Sequence, residues 1–337
     1  MTITINKKEY PLHTLDTGAQ ELSKKRWDSI AKPLHSLGKM EDLVIQTAGI
    51  TGDANVTYDK KALIVMCADN GVVAEGVTQS EQNVTAIVSE NFLSDKATAA
   101  ILCKQTGAEI FPIDIGIAVD TKLENHKIAY GTKNMAKEPA MTREEAERAM
   151  EVGIEKVREL SEQGYKIIAT GEMGIGNTTT SSALASYFLQ EDVEKMTGRG
   201  AGLTSKALEK KIAVVRKAIA DYSPAFTDAI DALAALGGFD IAGRAGVFLG
   251  GAIYRVPIVM DGFISSTAAL TATRICPACK DFIMASHVSK EPAAEKILAA
   301  MDKEAALHCD MCLGEGTGAV TLFPILDLAT QIYEQMS

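Results

Sequence analysis

The sequence predicts an α/β fold, a mostly parallel sheet flanked by helices, with a smaller helical domain built from both chain ends. Three observations carry this reading. Five short apolar runs lack polar alternation, as strands buried on both faces do. Helical patterns lie between them, so strand and helix alternate along the chain. Both chain ends depart from that alternation and read as helix alone.

From the N-terminus, Ala19 to Ala48 reads as helix, broken near Lys32-Pro33 and Leu37-Gly38, where proline and glycine interrupt it. The first apolar run, Ala62 to Cys67, is followed by Asp69-Asn-Gly. Ile110 to Ile113 is followed by Asp114-Ile-Gly, and Lys166 to Ala169 by Gly171-Glu-Met-Gly. Val256 to Met260 leads into Asp261-Gly-Phe, and Phe282 to Ala285 into Ser286-His-Val-Ser. Glu144 to Leu160 and Ser205 to Ala220 have helical periodicity, and Phe323 to Gln335 is an amphipathic helix. The expected division is a small helical domain over 1–55 and 318–337, and a large α/β domain over 56–317. Polar groups and glycines gather at the carboxyl ends of the predicted strands, the edge where open α/β sheets bind ligands. Taken singly, each is also an ordinary turn residue.

The bulk numbers narrow the function classes. At 47% hydrophobic, 337 residues suffice for a sizeable core. The formal charge of -10 and a longest basic run of three residues, Lys24-Lys25-Arg26, leave no footprint for nucleic acid or an anionic membrane. No apolar run reaches the length of a membrane span, and the N-terminus has no signal-peptide core. Six cysteines in such a chain are expected to be reduced thiols in a cytoplasm.

Three kinds of motif could carry chemistry. In Gly171-Glu-Met-Gly-Ile-Gly-Asn-Thr-Thr-Thr-Ser-Ser182, glycines follow a strand and hydroxyl residues open a helix. Backbone N–H groups and the helix dipole at such a start hold an anion such as phosphate. The motif lacks the lysine of a Walker loop and the spacing of a dinucleotide fingerprint, so it reads as a cradle for a mononucleotide or phosphosugar. Gly198-Arg-Gly-Ala-Gly202, with Lys211 beyond it, and Gly237 to Gly246 are further glycine sets, serving as backbone donors or as close packing points. Second, Glu172 and Glu315 stand in glycine loops with no Lys or Arg within three residues. A carboxylate in a partly apolar loop has its pKa raised, which suits a general base. Third, Cys276-Pro-Ala-Cys279 and Cys309-Asp-Met-Cys312 have zinc half-site spacing, with His287 and His308 nearby. A strand and a helix intervene between the two pairs, and four small buried thiols is the competing reading.

MCADNGVVAEGV, NMAKEPAMT, GEMGIGNTTTSSA, GGFDIAGRAG, MDGFISSTAAL, SHVSKEP and LGEGTGAV occur in this order. Together they resemble the nicotinate-nucleotide–dimethylbenzimidazole phosphoribosyltransferase family, from about Lys32 to the C-terminus. The resemblance implies a Rossmann-like large domain, a homodimer, and transfer of phosphoribose from nicotinate mononucleotide to 5,6-dimethylbenzimidazole. The products would be nicotinate and α-ribazole 5′-phosphate, with inversion at C1′, and no cofactor or metal is implied. By the same resemblance, Glu315 corresponds to the catalytic base and Glu172 to a second active-site glutamate. Gly174, Gly176, Asn177 and Thr178 correspond to the phosphate loop, with Lys211 and Ser289 as further phosphate contacts. Ser80, Val88 and Leu313 fall at the acceptor-base pocket. The chain departs from the family pattern at Asn70, where histidine is common, at Val88, where a polar residue is expected, and at Cys312, where arginine is common. Ala293-Ala-Glu-Lys296 also stands where many members have Gly-His. These departures keep open a phenol such as p-cresol as acceptor, with a paralogous second subunit. Outside this chemistry, the competing readings are a zinc-containing or non-catalytic nucleotide-binding protein, and an oxidoreductase that the missing dinucleotide fingerprint disfavours.

Overall fold

A computed structural model describes residues 1–200 and 202–336. Ala201 of the Gly198–Gly202 set and Ser337, the last residue of the expected small domain, lie outside the described residues.

The sheet has six parallel strands: β3 (Lys61–Ala68), β4 (Ala108–Gly116), β5 (Glu124–Asn125), β6 (Ile167–Met173), β7 (Ile258–Met260) and β8 (Ile283–Ala285), in the order β5-β4-β3-β6-β7-β8. Every residue of β3 is buried, which is why its run shows no polar alternation. The five predicted strands are all present. The two-residue β5 escapes a hydrophobic pattern because both its residues are exposed. β4 contains Pro112, which a central strand rarely accepts. It is tolerated because β5 pairs only at Ile113 and Asp114, leaving that flank of Pro112 free.

Along the chain, the strand order is 3-2-1-4-5-6, which reverses between β3 and β6. In such sheets ligands bind at that crevice, beyond the carboxyl ends of the strands. Helix Phe239–Tyr254 packs on the sheet, and helix Arg143–Glu162 packs on that helix. Their crossing is close enough that a Cβ on Gly153 would stand 1.9 Å from Gly243 O, and one on Gly246 equally near Met150 O. Gly246 therefore lets the two helices close on each other, while Gly243 faces Ile115 and Met66 of the sheet. Helix Arg143–Glu162 opens with a capping box between Thr142 and Glu145.

The chain ends hold helices Thr17–Ser29, Lys39–Thr51 and Thr317–Gln335. They also hold an antiparallel hairpin that the sequence reading missed, β1 (Thr2–Ile5) and β2 (Lys8–Pro11). The C-terminal helix packs on Lys39–Thr51 and on β6, and Trp27 stacks against Tyr333 at 4.9 Å between ring centroids. That helix starts at Thr317, six residues before the expected Phe323, with Pro324 inside it.

Candidate active site

A cavity of about 370 Å³ opens at the carboxyl ends of β6, β7 and β8. Glu172, Gly174, Gly176, Asn177 and Thr178 line it from β6 and the start of helix Asn177–Leu189. Ser289 lines it from the segment after β8, and Glu315 and Leu313 from the loop before helix Thr317–Gln335. Ser80 and Val88 close it from the segment after β3. Lys211 sits behind this wall, its Nζ donating to Thr178 Oγ1 at 2.9 Å and to Gly198 O at 3.2 Å. Gly200, of the second glycine set, also reaches the cavity.

The two glutamates are brought together by glycines. Gly314, Glu315 and Gly316 all have positive φ, of 95°, 62° and 91°. For Glu315 this is a costly left-handed conformation that the loop must enforce. The loop presses onto the end of β6, where a Cβ on Gly171 would stand 2.3 Å from Glu315 O. On the other side, a Cβ on Gly314 would meet Glu172 Oε1 at 2.4 Å. Glu315 Oε2 accepts a hydrogen bond from Ala99 N at 3.0 Å, at the start of helix Thr98–Thr106, which aims the half-buried carboxyl.

Glu172 is buried, and burial is the main force pushing its pKa up to about 7. Arg244 and a hydrogen bond from Asn177 Nδ2 to Glu172 Oε2 pull against that shift, while Asp240 and Asp261 add to it. Asn177 Nδ2 also donates to Asp240 Oδ2 at 3.2 Å, and Arg244 Nη2 lies 3.3 Å from the same oxygen, so a buried polar network stands behind Glu172. Asn70 donates to Ile175 O at 3.4 Å, in the turn between β6 and helix Asn177–Leu189. Burial also lowers Lys211 to about 8.

The polar residues after β3 and β4 do other work. Asp69 Oδ2 accepts from Ala118 N at 2.8 Å, and the buried Asp114 pairs with Lys127 at 2.9 Å. These are fastenings between loops, and neither residue lines the cavity. Among the cavity-lining residues not singled out as such from sequence are Asp261 and His287. The available signal was their place directly after β7 and β8. Asp261 is buried, which raises its pKa, and its carboxylate accepts from Gly316 N, Gly318 N and Ala319 N at 3.2, 2.8 and 3.1 Å. It therefore caps the C-terminal helix and fastens the Glu315 loop.

Cys276 and Cys279 are buried, whereas Cys309 and Cys312 are exposed and Cys312 reaches the cavity. Among the described residues, no three His, Cys, Asp or Glu side chains converge as metal ligands would. Among them, also, no helix is long and apolar enough to cross a membrane.

The sequence matches the family model described as phosphoribosyltransferase over residues 12–337. It is 48% identical to the nicotinate-nucleotide–dimethylbenzimidazole phosphoribosyltransferase of Acetivibrio thermocellus, covering 94% of this chain and 91% of that one. It is likewise 48% identical to the protein of that name from Clostridium acetobutylicum, covering 96% and 93%. A crystal structure of CobT from Thermus thermophilus superposes with a TM-score of 0.90 at 34% identity, over 94% of this chain and 96% of that one. The fold, the cavity at the strand ends and full-length similarity agree, and the chain belongs to the nicotinate-nucleotide–dimethylbenzimidazole phosphoribosyltransferase family.

Proposed function

We propose that this enzyme transfers phosphoribose from nicotinate mononucleotide to 5,6-dimethylbenzimidazole, releasing nicotinate and α-ribazole 5′-phosphate, a step toward the lower-ligand nucleotide of cobalamin. The carrying observation is one cavity in which a glycine-opened helix start and two glutamates converge. The 5′-phosphate takes the start of helix Asn177–Leu189, where the positive end of the helix dipole favours an anion. Thr178 and Ser289 contact it, and Lys211 turns from Thr178 to the phosphate.

Nicotinate bound through its nitrogen leaves as a neutral ring from a cationic nucleotide, so its departure needs no general acid. The attacking azole does need to lose a proton. Glu315 takes that proton from one ring nitrogen while the other nitrogen attacks C1′ opposite the leaving group, which inverts the sugar. Glu172, close to its pKa at neutral pH, offsets positive charge growing on the ribose when ionised. The phosphate is bound and not transferred, so the chemistry calls for no metal. The acceptor lies between Ser80, Val88 and Leu313.

A second acceptor class, phenols such as p-cresol, is favoured by the apolar Val88 and Leu313 at that end. Competition between dimethylbenzimidazole, adenine and p-cresol, with identification of the product linkage, separates the two. Predominant transfer to dimethylbenzimidazole supports the first reading, and release of nicotinate with phenols alone supports the second. The same reading takes the enzyme as a cytoplasmic homodimer, with a paralogous heterodimer as the phenol-linked alternative. It also divides the chain into a small domain over 1–55 and 318–337 and a large one over 56–317.

A further inference from the structure

His287 lines the cavity, yet the transfer as described gives it no task. Its two nitrogens have different surroundings. Nδ1 lies 3.1 Å from Ser286 Oγ and 3.8 Å from Asp261 Oδ1. Ser286 Oγ donates its one proton to Met260 O at 2.7 Å, so it offers His287 only lone pairs. Nδ1 is therefore the donor, and the Asp261 carboxylate beside it favours the same tautomer. In the neutral ring, Nε2 then carries the bare lone pair. Among the described residues Nε2 has no hydrogen-bond partner, and it is not among the unpartnered side-chain atoms sealed from solvent.

The ring is also held in place. A Cβ on Gly318 would overlap Nδ1 at 1.9 Å, and one on Gly262 would stand 3.3 Å from both Nε2 and Ser289 Cβ. Nε2 thus lies near Ser289, at the phosphate end. Asp261, on the Nδ1 side, reaches the Glu315 loop through Gly316 N. The position between the phosphate end and the base is where the sugar of a nucleotide has to lie.

We propose that His287 Nε2 accepts a hydrogen bond from a ribose hydroxyl of the bound nucleotide, and that Asp261 is the positioning residue that sets both this ring and the Glu315 loop. The inference rests on the phosphoribosyl reading above. A bare imidazole lone pair selects a hydroxyl donor over a phosphate oxygen, which has no proton to give. A deoxy ligand leaves Nε2 desolvated and unpartnered, which costs about tenfold in affinity.

Calorimetric binding of nicotinate mononucleotide and its 2′-deoxy and 3′-deoxy forms tests this in wild type, His287→Ala and His287→Gln. Wild type is expected to bind the ribonucleotide about tenfold tighter than one of the deoxy forms. His287→Ala erases that preference, and His287→Gln, whose amide oxygen can still accept, restores part of it. Where His287→Ala fails to fold by thermal melting, His287→Phe replaces it. Absence of any preference in wild type, or an unchanged preference in a folded variant, overturns the proposal. Failure of wild type to bind all three nucleotides instead overturns the phosphoribosyl reading. Asp261→Asn is expected to lose the ribose preference and to lower kcat while inorganic phosphate still binds as in wild type. Parallel loss of phosphate binding would mark Asp261 as a purely structural residue.

Discussion

Glu172 is a carboxyl group held where charge is disfavoured. Its pKa of about 7, above the ordinary 4.5, means that the folded protein holds this proton more tightly than the unfolded chain. Stability is then undiminished below the unfolded pKa and falls as pH rises from 4.5 toward 7, by about 3 kcal/mol for this group. Glu172→Gln removes the charge and keeps an acceptor for Asn177. The variant is expected to melt at a higher temperature than wild type at pH 8, to match it near pH 4.5, and to lose transfer activity. Equal melting temperatures at pH 8 would show that the buried carboxyl carries no such cost. Glu172 and Glu315 were legible in the sequence because they stand in glycine loops with no Lys or Arg within three residues. Asp261 and His287 were less so, because their significance comes from contacts with Gly316, Gly318 and Ser286 that chain order does not display.

The elements were legible where burial wrote an apolar run, as in β3, and obscured where short-range geometry decided. The β1–β2 hairpin turns at Asn6 and Lys7, both with positive φ, of 45° and 63°. This is the conformation of a two-residue hairpin turn, for which asparagine was the only local cue. The C-terminal helix was expected from Phe323, but it starts at Thr317 because Asp261 binds its first free N–H groups. The element that matters most is the contact of the Gly314–Gly316 loop with the end of β6. Gly171→Ala places a methyl group against the backbone of Glu315. It should destabilise the fold by roughly 1–3 kcal/mol and reduce kcat far more than a loss of that size in stability would imply. Denaturant unfolding and steady-state rates measured on the same preparation check this. A variant with normal kcat would show that the loop tolerates displacement.

At the scale of the molecule, the parallel sheet was legible, and its reversal of strand order between β3 and β6 explains why so many motifs distant in sequence meet at one edge. The four CxxC cysteines divide by the same architecture. Cys276 and Cys279 are inside, Cys309 and Cys312 are exposed, and Cys312 lines the cavity. A thiol reagent is expected to label Cys309 and Cys312 in the native protein, and Cys67, Cys103, Cys276 and Cys279 only after unfolding. Protection of Cys309 and Cys312 in the metal-free native protein would contradict this placement. The central claim is that one glutamate, held by glycines at this edge, removes the proton from an incoming azole. Nicotinate release from nicotinate mononucleotide, with and without dimethylbenzimidazole, in wild type and Glu315→Gln, tests it most directly. Release should depend on the azole and fall by roughly 10²–10⁴-fold in the variant, with nucleotide binding retained. Full activity in Glu315→Gln, or release that ignores the azole, would contradict the account.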